Sequence, residues 1–230
     1  MAASEKKTIL VVDDEPEVRK LVGAMVSRQG FEVLAVLVLE LLRLEVVRQL
    51  LDQLARHLDL GVLDPNVLLQ LLDGTHSIER SEEVHLATLQ ATYAAMAAYN
   101  VSLEHLILKT SMVVSGKDNP RQAGVEEVAE RTVRILRRTV PAAQPGIVFL
   151  SGGQSDEAAT AHLNAMAAMP GLPWPLTFSY SRALQNPALN AWRGQAGNVA
   201  AAQKAFHHRA HMNSLASQGK WRAELERQAA

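Results

Sequence analysis

The sequence predicts an α/β protein whose βα units lay down a mainly parallel sheet. Three observations carry this. Short unbroken apolar runs such as TILVVD at 8–13 suit strands buried on both faces. Amphipathic stretches of ten or more residues alternate with them. Glycine and proline punctuate the joints, at Asp73-Gly74, Pro145-Gly146 and Met169-Pro170-Gly171.

The elements follow in order. After the strand at 8–13, Asp13-Asp14-Glu15-Pro16 supplies helix-start chemistry, with Asp14 an N-cap candidate and Pro16 near the first turn. Val18, Leu21, Val22 and Met25 recur at helical spacing up to Gly30, and FEVLAV at 31–36 reads as a second strand. Residues 37–58 read as one connecting helix, with Leu39, Leu42, Val46, Leu50 and Leu54 on one stripe. A strand near 60–64 leads to a helix at 78–99. A strand at 102–109 then precedes a helix at 124–138, where Val125, Val128, Ala129, Thr132, Val133 and Leu136 share a face. A strand at 146–150, a helix from Ser155, a strand at 174–179 and helices near 181–192 and 196–217 complete the pattern. Trp174, Phe178 and Tyr180 read as strand and core packing. From Gly219 no period survives, and the last residues are expected to fray.

Composition narrows the function classes. The 230 residues are 48% hydrophobic and 20% charged with net charge −1, which gives no basis for a nucleic-acid or anionic-membrane partner. No cysteine is present, so disulfide and thiolate chemistry are excluded, in keeping with a cytoplasmic setting. MAASEKK lacks a signal-peptide core, and VLAVLVL at 33–39 is too short to span a bilayer.

Three strand ends carry unusual side chains. LEHLILKTSMV, residues 103–113, closes an apolar run with Lys109. Such a lysine can snorkel to water, or its amine can attack a carbonyl and form a Schiff base. The strand at 147–150 runs into Ser151-Gly152-Gly153-Gln154-Ser155, and the one at 175–179 into Tyr180-Ser181-Arg182. A glycine pair between strand and helix lets main-chain N–H groups approach an anion, and an arginine nearby adds a charged fork. The plainer alternatives are a tight turn and a solvated charge. His207, His208 and His211 could in part share a helix face, but no third ligand stands at zinc-motif spacing, and an exposed polar face accounts for them.

Two resemblances follow from these words. IERSEEV, LEHLILKTSMVVSGK, LRRTVPAAQPGIVFLSGGQSDE, LPWPLTFSYSRALQNPALNAW and AAQKAFHHRA with NSLA make residues 59–218 resemble the C-terminal half of class I fructose-bisphosphate aldolases. That resemblance implies a partial TIM barrel or an open sheet, followed by a tail at 219–230. It implies reversible cleavage of fructose 1,6-bisphosphate to dihydroxyacetone phosphate and glyceraldehyde 3-phosphate in glycolysis. It further implies a phosphorylated sugar as partner, homo-oligomers, a cytoplasmic setting, and no metal or other cofactor. Lys109 would be the Schiff-base lysine, Asp64 the acid/base carboxylate, and Ser151, Gly152, Ser181 and Arg182 the phosphate clamp. The sequence departs from the family in places. Asp64-Pro65-Asn66 replaces a Glu-Pro-Glu word, Thr110 a proline, His105-Leu106 a Gly-Thr pair, and Ser181 a glycine. The family's first four strands have no counterpart, so weak or no activity is expected.

The opening 1–36 resembles a response-regulator receiver domain, in which Asp13 and Asp14 would hold magnesium and Asp64 would accept a phosphoryl group. A signalling module and an inactive recombined gene product are therefore the alternatives to the lyase. The strands of the opening are expected to extend the aldolase-like half-sheet, because a parallel half-barrel leaves two bare edges.

Overall fold

The computed structural model describes residues 8–13, 32–37 and 74–227. The chain divides into two compact units, Met1–Asp59 and Leu60–Ala230. In the first, β1 (Thr8–Asp13) and β2 (Glu32–Leu37) pair in parallel, Thr8 opposite Glu32 and Asp13 opposite Leu37. Leu37 thus ends a strand instead of opening a helix. The expected helix between these strands, the remainder of the one at 37–58 and the strand near 60–64 lie outside the described residues.

Among its described residues, the second unit holds three successive βα steps. β3 (Leu108–Thr110) is followed by α2 (Val125–Thr139), β4 (Ile147–Phe149) by α3 (Asp156–Ala167), and β5 (Leu176–Phe178) by α4 (Arg182–Trp192). α1 (Ile78–Ala98) precedes them; α5 (Val199–Ala216) and the short α6 (Ala223–Glu226) follow. The sheet order is β3-β4-β5, all parallel, with Leu108 opposite Ile147 and Ile147 opposite Leu176. Among the described strands, β1 pairs with β2, and β3, β4 and β5 pair in the second unit.

Local chemistry explains the helix ends. Ser77 accepts a hydrogen bond from the Arg80 N–H at 3.2 Å, and Ser155 accepts one from Ala158 at the same distance, capping α1 and α3. α2 has Glu126 and Glu127 in its first turn and Arg137 and Arg138 in its last, the arrangement its dipole favours. Its period delivers Val128, Ala129, Thr132, Val133 and Leu136 to the interior, as the spacing predicts, and Ile135 joins them. These side chains meet Ile147 and Phe149 of the central strand, Leu163 and Met166 of α3, and Ala216 of α5 in one core. Phe149 is fully buried there.

Two polar assemblies brace the helices. Arg131 of α2 reaches Glu79 and Glu82 of α1 at 2.7 Å each and Glu127 at 2.9 Å, while Arg134 grips Glu82 at 2.7 Å. Burial pushes the Glu82 carboxyl up, but hydrogen bonds from Arg134 and Arg131 outweigh it and hold the group below its ordinary value. At the other end, Arg209 of α5 donates to Glu226 of α6 at 2.6 Å and to Thr160 of α3 at 2.6 Å. Trp221 donates through its ring N–H to Glu226 at 2.9 Å and through its main chain to Asn164 at 2.8 Å. The stretch after Gly219 is therefore docked, contrary to the fraying expected from its lack of period.

The strand expected at 102–109 is also corrected. Leu103–His105 forms a single 3-10 turn, Ile107 is 63% exposed, and the strand begins at Leu108. Trp174 and Tyr180 are buried and Phe178 half-buried; the Phe178 and Tyr180 rings sit 5.6 Å apart. That agrees with the packing role expected of them.

Candidate active site

A parallel register aligns the carboxyl ends of all three strands. Thr110 stands opposite Phe149, and Phe149 opposite Phe178. Two further bonds continue the ladder beyond the strands: the Leu150 N–H to the Thr110 carbonyl at 3.0 Å, and the Ser179 N–H to the Phe149 carbonyl at 2.8 Å. The loops that follow thus leave from one edge of the sheet. In parallel α/β folds that edge is where ligands bind.

Lys109 is the middle residue of β3 and alternates with the half-buried Leu108 and Thr110, so its side chain is exposed. It makes no ion pair or hydrogen bond among the described residues. Ser151 follows β4 and is buried. From it the chain makes a tight turn, with the Gln154 N–H donating to the Ser151 carbonyl at 3.0 Å. Gly152 and Gly153 hold φ of +57° and +81° at the tip, a left-handed pair that side-chain-bearing residues rarely adopt. A Cβ on Gly153 would meet nothing within 4 Å, so space lies open before the turn. No described residue accepts the N–H groups of Gly152 or Gly153. α3 begins directly afterwards, its dipole adding to a turn already suited to an anion.

After β5 the pattern repeats in a looser form. Ser181 is the N-cap of α4 and accepts at its carbonyl from Gln185 at 2.9 Å, but its hydroxyl caps nothing. Arg182 is the first residue of α4, exposed and without an ion-pair partner among the described residues. Lys109 thus lies one residue before the carboxyl end of β3, while Ser151 and Gly152 follow the carboxyl end of β4 and Ser181 and Arg182 that of β5. Asp64 and Asp14 lie outside the described residues. Asp13 closes β1 in the other unit, and only its main chain is described.

Two interactions near this edge carry no signal that local sequence reasoning could have used. His85 of α1 lies 2.6 Å from the Ser111 hydroxyl through Nε2 and 2.6 Å from the Ser81 carbonyl through Nδ1. Burial lowers the pKa of this imidazole. His162 of α3 lies 2.5 Å from the Gln154 side-chain oxygen, and burial pushes its pKa down to about 4. No His, Asp or Glu cluster that could hold a metal occurs among the described residues, and His207 and His211 are exposed. No helix among them is long and apolar enough to cross a membrane.

Comparison with known proteins gives this arrangement its context. Residues 58–230 match the family described as fructose-bisphosphate aldolase class I. A probable fructose-bisphosphate aldolase class 1 of Xanthomonas axonopodis pv. citri is 52% identical over 162 residues, 70% of this chain and 48% of the relative. The fructose-bisphosphate aldolase of Dictyostelium discoideum is 47% identical over 71% of this chain and 45% of its own length. Human fructose-bisphosphate aldolase C is 48% identical over 72% of this chain and 45% of its own. A solved structure of the Plasmodium falciparum aldolase, in complex with TRAP and a small-molecule inhibitor, superposes with a TM-score of 0.63 at 46% identity. It covers 64% of this chain and 43% of that one. The chain spans about half the length of the curated relatives it matches. The match begins at residue 58 and lends nothing to the receiver-like opening. On sequence and fold together, the chain belongs to the class I fructose-bisphosphate aldolase family.

Proposed function

We propose that this chain carries the Schiff-base half of a class I aldolase site and acts on a phosphorylated ketose as a carbon–carbon lyase. The observation that supports this reading is the parallel register, in which the glycine turn and the helix-starting arginine follow β4 and β5, the strands beside the one that holds the exposed Lys109. The Lys109 amine would add to the ketose carbonyl, and loss of water would leave an iminium. That cation accepts the electron pair of the neighbouring carbon–carbon bond as the aldehyde departs. Protonation of the resulting enamine and hydrolysis return the lysine. Asp64 is the proposed acid/base group. The Gly152 and Gly153 N–H groups, Ser151, Ser181 and Arg182 are the proposed phosphate clamp, which would fix the ketose in register.

Borohydride reduction in the presence of dihydroxyacetone phosphate tests this directly. The expected outcome is a stable mass adduct mapped to Lys109 and lost in Lys109→Met. Absence of any adduct in the unmutated protein would overturn the reading.

Three subordinate proposals accompany it. Homo-oligomers follow from the family resemblance, and sedimentation at several concentrations measures them. Cytoplasmic residence is tested by fractionation. A receiver-like role for the opening, with Asp13 and Asp14 binding magnesium, is the alternative to the lyase reading and has the parallel β1–β2 register in its favour. Magnesium titration should then perturb Asp13 and Asp14, and the absence of binding removes that role.

A further inference from the structure

The turn at Ser151–Gln154 is held from below by a side-chain chain of command. Gln154 Nε2 lies 2.9 Å from the Ser151 carbonyl and 3.6 Å from the Met112 sulfur. A carbonyl only accepts, so the amide nitrogen must face Ser151 and the amide oxygen must face His162. That oxygen also only accepts, which places the hydrogen of His162 on Nδ1 across the 2.5 Å contact. The Ser151 carbonyl therefore receives two N–H groups from one residue, the main chain of Gln154 at 3.0 Å and its side chain at 2.9 Å. With both ends of the amide committed, Gln154 has little left to offer a ligand. Its effect falls on the turn, whose tip carries the unaccepted N–H groups of Gly152 and Gly153.

We propose that His162 is a positioning residue for anion binding: it orients the Gln154 amide, which locks the Ser151 carbonyl and so presents the Gly152 and Gly153 N–H groups to a phosphate. This rests on the phosphate-site reading above and adds a residue to it. His162 is 8% exposed and stands on α3, whose N-terminus opens just beyond the turn, so its bond to Gln154 ties the turn to the helix. A buried donor in this place is costly to remove, since the Gln154 oxygen would lose its partner away from water.

The test uses the full chain labelled with ¹⁵N-glycine and titrated with inorganic phosphate. In the unmutated protein the Gly152 and Gly153 resonances should shift on titration. His162→Leu should move both resonances before any phosphate is added and weaken phosphate binding about tenfold. His162→Asn, which can still offer an N–H to Gln154, should restore both to within about twofold of the unmutated protein. Gln154→Leu leaves the histidine in place and should reproduce His162→Leu, which guards against a simple folding defect at the buried site. Glycines that respond to phosphate in the unmutated protein and equally in His162→Leu would overturn the role of His162 alone. Glycines that ignore phosphate in the unmutated protein would overturn the phosphate site and this role with it.

Discussion

His85 and Ser111, 26 residues apart in sequence, meet at 2.6 Å between ring Nε2 and hydroxyl. The Ser81 carbonyl, also 2.6 Å away, takes the proton on Nδ1, so Nε2 is a lone pair and Ser111 donates to it. This bond ties α1 to the segment directly after β3. Deleting one partner leaves the other unmet in a half-buried place, a loss of about 1 kcal/mol. A double-mutant cycle with Ser111→Ala and His85→Leu, read by urea denaturation, should return a coupling of about 1 kcal/mol or more. Strict additivity would mean that the contact contributes nothing.

Buried neutral imidazoles make stability depend on pH. His162 titrates at about 4 when folded, against an ordinary value of 6.5. Burial lowers it and the Glu126 charge only partly opposes this. Because the folded value is the lower one, the unfolded chain takes up the proton first as pH falls. Stability should be complete above about pH 6.5 and decline towards pH 4, with His162 contributing about 3 kcal/mol to the fall. The pKa of His85 is lowered too, chiefly by burial, with the neighbouring His76 adding to it, so it acts in the same direction. Chemical denaturation at a series of pH values checks this; His162→Asn should visibly flatten the curve over that window.

The docked C-terminal stretch depends on one carboxylate. Glu226 serves Arg209, His208 and Trp221 together, and Arg209 is only 4% exposed. Glu226→Leu would strand a buried guanidinium, and a broken buried pair typically costs about 3–5 kcal/mol. Trp221 should shift its emission to the red, and trypsin should cut at Arg222 or Lys220 well before the body of the unit. Glu224→Ala, an exposed neighbour with no side-chain partner among the described residues, is the control and should leave both readouts alone.

The central strand should tolerate the least. Phe149 is fully buried between the layers, and Phe149→Ala should cost about 3–5 kcal/mol by the cavity it opens. A thermal melt unchanged from the unmutated protein would show that the core does not close around that ring.

Much of the second unit was legible in the chain itself. The Val128–Thr132–Leu136 face, the helix start at Ser155 and the Pro-Gly stops are local signals, and each element they mark is present within a residue or two. The two errors in this unit have different causes. LEHLIL looked like a continuous strand because an apolar run does not reveal where chain geometry changes; Ser102–Leu106 turns instead, leaving Ile107 outside. Trp221 and Glu226 show no period of their own, since what holds them is Arg209 and Asn164, contributed by helices already passed. The site was legible as residue types at strand ends. Its supports were not, because the partnership of His85 with Ser111 exists only after folding, and that of His162 with Gln154 needs a turn and a helix in place.

The Arg131 web has a consequence in heat and salt. Charged groups lose hydration free energy on warming, so an ion network costs less to desolvate the hotter it becomes. Glu79, Glu82 and Glu127 converging on Arg131, with Arg134 alongside, should therefore hold α1 against α2 relatively better near the melting point than at room temperature. Dissolved salt acts the other way on its exposed members, so this seam should be where ionic strength first lowers the melting temperature.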